Sequence, residues 1–246
     1  MSGHSKWSSI KHKKARTDAA RGKVFTKLIR EITVAARQGG GDVESNPRLR
    51  LAIQTAKGQN MPNENINRAV KKGSGEQDGA AFEEFTYEGY GPAGVALMID
   101  ALTDNKNRTT AEVRHALSRH GGNLGETGCV GWNFETKGII RVNSSLCDED
   151  TIMNAALEAG AEDVQAIEEM FEISTVATDL HKVTNALEAA KIPFESAALV
   201  RIPGTTVELD GDAARKVLKL MEVLEDLDDV QSVSANFDIP DEILQD

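Results

Sequence analysis

Residues Gly138–Pro203 read GIIRVNSSLCDEDTIMNAALEAGAEDVQAIEEMFEISTVATDLHKVTNALEAAKIPFESAALVRIP, and two hydrophobic periods alternate along them. Ile139–Val142, Asp163–Ile167, Phe171–Thr175 and Ser196–Ile202 have the length and composition of strands. Asp148–Ala159 and Asp179–Lys191 place apolar residues at helical spacing. The order is βαββαβ, the split βαβ of ferredoxin-like folds. Outward from this unit, Glu84–Glu88 and Val95–Leu102 read as strands around a glycine turn. Thr109–His120 reads as a helix opened by a capping box of Thr109 and Glu112, and Cys129–Phe134 as a strand. Downstream, a strand near Thr206–Leu209, a helix Asp212–Leu227 and a strand Val230–Phe237 are too few to stand alone. They would complete the sheet begun in residues 82–136.

The N-terminal part is helical in pattern. Phe25, Leu28, Ile29, Ile32 and Ala36 recur at helical spacing between about Asp18 and Gln38, and Gly39-Gly40-Gly41 stops the helix. Asn46-Pro47 is an N-cap followed by proline at the first helical position. This second helix turns Leu49, Ala52, Ile53 and Ala56 inward. Met61-Pro62 starts a third, short helix, which Lys71-Lys72-Gly73 ends with cations at the negative end of its dipole and a glycine cap. GSGEQDGAA (residues 73–81) is a polar linker. The fold class expected is α+β. A small helical domain (residues 1–80) precedes two α/β domains of ferredoxin-like, βαββαβ type, residues 81–136 with 205–246 and residues 137–204. The third domain is inserted in the second.

Charge is divided unevenly. The chain of 246 residues has a net charge of -11, yet residues 1–72 hold 16 Lys or Arg against 5 Asp or Glu, a local +11. Residues 73–246 carry −22. A change of sign so sharply placed points to a polyanion as the partner of the first segment. Within it Lys6, Trp7, Lys11, Lys13 and Lys14 form a flexible basic arm with one aromatic ring. Its lysines would neutralise phosphates with release of counterions, and Trp7 either stacks on a base or packs on the helical domain. Arg16, Lys23, Lys27, Arg30 and Arg37 follow at offsets of 7, 4, 3 and 7, sharing a helix face turned from most of the apolar stripe. Outward placement implies that Lys23, Lys27 and Arg30 can be reversed in charge without loss of fold. Arg48 and Arg50 add to the surface from the second helix.

Several classes of function are disfavoured. Cys129 and Cys147, the only cysteines, define neither a disulfide framework nor a zinc set. No apolar run approaches the roughly 20 residues that span a bilayer, and the N-terminus lacks the apolar core of a secretory signal. Gly89-Tyr90-Gly91-Pro92-Ala93-Gly94 matches G-x-G-x-x-G, but Val95–Ile99 after it is β-like, so a hairpin turn is expected and not a dinucleotide site. Asp104–Arg108 begins like a calcium loop but has Lys and Arg at its third and fifth positions, which leaves a turn before a helix or a polar contact surface. His4, His12, His115, His120 and His181 lack metal-site spacing, and Glu225–Asp229 reads as a solvated helix end. No catalytic residues, metal or cofactor are expected.

GHSKW near the start, ARGKVFTKLIREI (Ala20–Ile32), GGGD…NPRLR (Gly39–Arg50), YEGYGPAG (Tyr87–Gly94), LTDNKNRT (Leu102–Thr109) and GGNLGETGCV (Gly121–Val130) strongly resemble the YebC/PmpR family. The resemblance covers essentially the whole chain, in order. It implies one helical and two α/β domains, and a bacterial-type cytoplasmic protein, since the family motif stands at the start with no presequence before it. The family includes the mitochondrial translational activator of cytochrome oxidase. Its members are described as DNA-binding transcriptional regulators or as translation factors that help ribosomes through difficult sequences; neither role is catalysis. No RNP1 motif or zinc finger is present, so backbone and shape recognition is expected. The expected partner is nucleic acid, as ribosomal RNA or tRNA on the ribosome, with DNA as the alternative. No membrane partner is expected, and the protein would be a monomer or weak oligomer.

Overall fold

The structure is a computed structural model, and it describes residues 18–75, 81–167 and 169–239. Its helical N-terminal region consists of α1 (Asp18–Gly39), α2 (Pro47–Gly58) and α3 (Asn63–Gly73). β1 (Glu83–Tyr90), β2 (Ala96–Thr103), α4 (Lys106–Arg119), β3 (Asn123–Leu124) and β4 (Phe134–Asn143) follow. Then come α5 (Glu149–Glu158), β5 (Asp163–Ile167), β6 (Met170–Val176), α6 (Leu180–Ala189) and β7 (Ser196–Pro203). β8 (Val207–Glu208), α7 (Gly211–Glu225), β9 (Val230–Ala235) and β10 (Phe237–Asp238) end the described chain. Helices and sheets are thus mixed in the expected α+β manner.

Two compact units form. Among the described residues, the first takes α1 up to Arg30 with residues 81–135 and 201–239; the second takes residues 31–75 and 136–200. In the second, the strand order is β5-β6-β4-β7. This is the ferredoxin-like arrangement, in which the two strands that open the βαβ halves lie side by side. Register follows side-chain alternation: Ile140 faces Ile173 and Val142 faces Phe171 across the β4–β6 pair. These four pack with Ile152, Ala156, Leu180, Val183 and Leu187 from the two helices into one core. In the first unit the order is β3-β1-β2-β9, and α4 and α7 supply Val113, Leu117, Val217, Leu220, Met221 and Leu224 to its core.

The Gly89–Gly94 segment is a hairpin turn: Tyr90 pairs with Ala96 in the antiparallel β1–β2 ladder, and Gly91 N–H donates to the Val95 carbonyl at 2.7 Å. Three local expectations need correction. Cys129–Phe134 is not a strand; Gly131–Asn133 forms a 3-10 turn and the strand starts at Phe134. Helix α4 is capped by Asn105, whose side chain accepts the Arg108 N–H, because Thr109 is drawn into the interior. Gly73 serves close approach and not a left-handed cap. A Cβ there would lie 2.3 Å from the Thr33 carbonyl oxygen, while Gly75 carries the positive φ of 85°.

Asn46 does more than cap α2. It is buried, its Oδ1 accepts the Leu49 N–H at 3.1 Å, and its Nδ2 donates to the carbonyls of Ala35 and Gly40, each at 2.8 Å. One side chain therefore satisfies the start of α2 and two carbonyls at the end of α1. Asn46→Ala should lower unfolding stability by about 2–3 kcal/mol, the lost cap plus stranded buried acceptors. Urea denaturation measures it, and a loss below about 0.5 kcal/mol would show that the junction is held by other contacts.

Candidate nucleic-acid interface

The structure brings three of the predicted cations to one place within the first unit. Lys23 Nζ lies 2.9 Å from the Asp226 carboxylate, Lys27 Nζ donates to the Glu225 carbonyl at 2.7 Å, and Arg30 donates to the Asp228 carbonyl and to Asp229 Oδ1. They share one helix face, as their spacing predicts. That face meets the C-terminal end of α7 and the turn after it.

Asp229 is the centre of this contact. Its side chain is 3% exposed, and Arg30 and Arg108 reach its two oxygens at 2.8 and 2.7 Å. Thr109 and Thr103 donate hydroxyls to Oδ2 at 2.6 and 3.0 Å. Burial alone would raise its pKa. The bonds from Thr109, Arg108 and Thr103, with the charge of Arg30, outweigh burial and hold it below the ordinary carboxylate value. Glu225–Asp229 is therefore not simply a solvated helix end. The Asp104–Arg108 segment belongs to the same network, since Arg108 binds Asp104 as well as Asp229.

Two consequences correct the sequence reading. Arg30 is not an outward cation: its side chain is 16% exposed and holds α1 to the α7–β9 turn. Reversing its charge would leave Asp229 buried against a like charge, so the fold would not survive unharmed. Lys23 differs, because its pair with Asp226 is 48% and 62% exposed and contributes under about 1 kcal/mol.

In the second unit, Arg48 forks onto Glu31, with Nε to Oε1 at 2.7 Å and Nη2 to Oε2 at 3.1 Å, and binds Gln38. Arg50, 20% exposed, donates to the carbonyls of Val43 and Glu44 and contacts His181 Nε2 at 3.0 Å. Arg37, in the last turn of α1, is the exposed candidate without a side-chain partner among the described residues. Lys6, Trp7, Lys11, Lys13, Lys14 and Arg16 lie outside the described residues.

Sequence reasoning missed Asp229, Thr103 and Thr109 as a connected set. Their partners are remote in sequence and leave no local period. Among the described residues, no group of three or more His, Cys, Asp or Glu is placed to hold a metal, and no helix is long and apolar enough to cross a membrane. Burial raises the pKa of both thiols, Cys129 and Cys147, which keeps them protonated at neutral pH.

The chain is thus of mixed helix and sheet, a helical N-terminal region followed in sequence by sheet-containing domains. Comparison with known proteins gives the family. Residues 5–76 match the TACO1/YebC protein N-terminal domain, and residues 82–237 match the TACO1/YebC second and third domain. The chain belongs to the TACO1/YebC family. It is 58% identical over 243 residues to a protein of Pelotomaculum thermopropionicum, covering 98% of this chain and 100% of that one. It is 55% identical over 244 residues to one of Desulfatibacillum aliphaticivorans, covering 99% of each. Both relatives are named "Probable transcriptional regulatory protein". A crystal structure of a conserved hypothetical protein from Aquifex aeolicus is similar with a TM-score of 0.87 and 55% identity, over 95% of this chain and 96% of that one.

Asp229→Ala should lower stability at neutral pH by about 3 kcal/mol, the low end for a broken buried pair because Arg108 keeps some water. A group with a depressed folded pKa stabilises fully above its unfolded value of about 4 and loses that contribution as pH falls through the folded value. The substitution should therefore flatten the acid limb of the stability curve. Urea unfolding between pH 2 and pH 7 tests this, and an unchanged acid limb would remove Asp229 from the account.

Proposed function

We propose that the protein is a non-enzymatic, cytoplasmic regulator of gene expression that binds nucleic acid through its cationic N-terminal segment, acting on translation at the ribosome. The observation that carries this reading is the +11 charge of residues 1–72 in a chain of net charge -11. Phosphate neutralisation with counterion release needs such a concentration of cations. The contact falls on the arm, Lys6, Trp7, Lys11, Lys13, Lys14 and Arg16, and on exposed Arg37. Lys23 joins when a phosphate displaces Asp226, whereas Arg30 stays with Asp229. The acidic remainder suits a rugged RNA and protein surface better than a long DNA duplex, which would repel it.

The second reading is a DNA-binding transcriptional regulator, and the names of the Pelotomaculum and Desulfatibacillum relatives, which speak of transcriptional regulation, favour it. Sedimentation of the full chain with ribosomes at physiological salt, beside gel shift on promoter DNA, separates the two. Ribosome co-sedimentation that is lost in Lys11→Glu/Lys13→Glu/Lys14→Glu, with weak and unselective DNA binding, is the expected outcome. Sequence-selective, salt-resistant DNA binding without co-sedimentation would establish the alternative.

A further inference from the structure

Helix α7 carries the wrong charge at its C-terminal end. Its last turn holds no cation of its own, and Glu225, Asp226 and Asp228 stand at or just beyond its last residue. The carbonyl end of the helix dipole is already negative there, so carboxylates destabilise it unless cations from elsewhere meet them. Helix α1 supplies those cations within the same unit. Lys27 Nζ donates to the Glu225 carbonyl at 2.7 Å, Arg30 donates to the Asp228 carbonyl, and Lys23 Nζ lies 2.9 Å from Asp226 Oδ1. The end of α7 therefore presents to α1 what a nucleic-acid backbone would present, a row of anionic and carbonyl oxygens facing successive cations of one helix face.

The three contacts differ in firmness. Arg30 is tied to the buried carboxylate of Asp229, and Lys27 reaches a backbone carbonyl from a part-buried position. Lys23 and Asp226 are both largely open to water, and a pair so exposed is weak and exchangeable. Asp226 is nevertheless on the same folded chain, so it faces Lys23 at a high effective concentration. A solitary phosphate competes with it poorly. A chain of phosphates already held by neighbouring cations also presents its next phosphate at a high effective concentration, and it competes on equal terms.

We propose that the C-terminal end of α7 is an autoinhibitory contact for the nucleic-acid surface, in which Asp226 occupies Lys23 until a polyanion bound elsewhere on the basic segment displaces it. This rests on the nucleic-acid reading above and adds a regulation of that same surface. The contact favours extended phosphate chains over single anions. It acts through one exchangeable pair, so its effect is graded and not an on–off switch.

The test measures binding of the full chain to labelled single-stranded polyuridine by fluorescence anisotropy. Asp226→Asn should bind about two- to fivefold more tightly than the parent, the change that release from an exposed ion pair allows. Its urea midpoint should stay at the parental value, because the lost pair is offset by removing a carboxylate from the negative end of a helix. Asp212→Asn takes the same charge from the opposite end of α7, where Asp212 meets Arg215, and should leave the affinity unchanged. In a Lys23→Gln background, Asp226→Asn should add nothing. An equal gain from Asp212→Asn, or a gain that persists with Lys23→Gln, would reveal a long-range charge effect and overturn the proposal. So would the absence of a gain in Asp226→Asn while the parent binds. A parent that does not bind polyuridine would instead remove the nucleic-acid reading, and the autoinhibition with it.

Discussion

A carboxylate withdrawn from water must be met by donors, and Asp229 is met by four residues: Arg30 of α1, Thr103 at the end of β2, and Arg108 and Thr109 of α4. Losing a threonine hydroxyl removes one hydrogen bond to a buried charge, and losing an arginine removes half of its compensating charge, which is the more destabilising of the two. The α7–β9 turn, the start of α4 and the first part of α1 are thereby tied to one atom group. Asn105 caps α4, and its own N–H donates to the Thr103 hydroxyl at 2.9 Å, so the cap and the buried ion belong to one network.

This constraint reassigns the cations of the N-terminal segment. A cation on a helix face has two ways to be useful, as an internal partner or as a contact for a polyanion. The geometry separates them by exposure: Arg30 at 16%, paired with a carboxylate at 3%, belongs to the fold, while Lys23 at 48% retains water and an easily displaced partner. Arg48 and Arg50 are likewise engaged within their own unit. Of the acidic residues after α7, the carboxylates of Asp226 and Asp229 therefore already have cationic partners in α1 and α4.

Much of the fold was legible because it is written in local chemistry. Asn46-Pro47 announces a helix start whatever lies around it, and the glycines of Gly89–Gly94 followed by a β-like run announce a hairpin. The βαββαβ order follows from alternating periods, and the observed strand order agrees with it. Boundaries failed where a tertiary partner outweighed a local preference. Thr109 has the right residue type for a cap but its hydroxyl is more valuable to Asp229, so the helix starts earlier at Asn105. Cys129–Phe134 has strand-like composition, yet Glu88 takes its N–H groups and bends it into a turn. Of the candidate interface, spacing revealed which cations share a face. It could not reveal what that face meets, because Arg30 and Asp229 are joined only by the folded chain.

The central claim is that the N-terminal cations divide into a binding set and a structural set. The most direct measurement is the salt dependence of RNA binding, log K against log of salt concentration, for the parent chain, for Lys11→Gln/Lys13→Gln/Lys14→Gln, and for Arg30→Gln under conditions where each is folded. Each lost phosphate contact lowers the slope by roughly 0.7 for single-stranded nucleic acid. The account predicts that the triple variant loses about 2 from its slope, whereas Arg30→Gln keeps the parental slope despite reduced stability. A reduced slope in Arg30→Gln with an unchanged slope in the triple variant would contradict it.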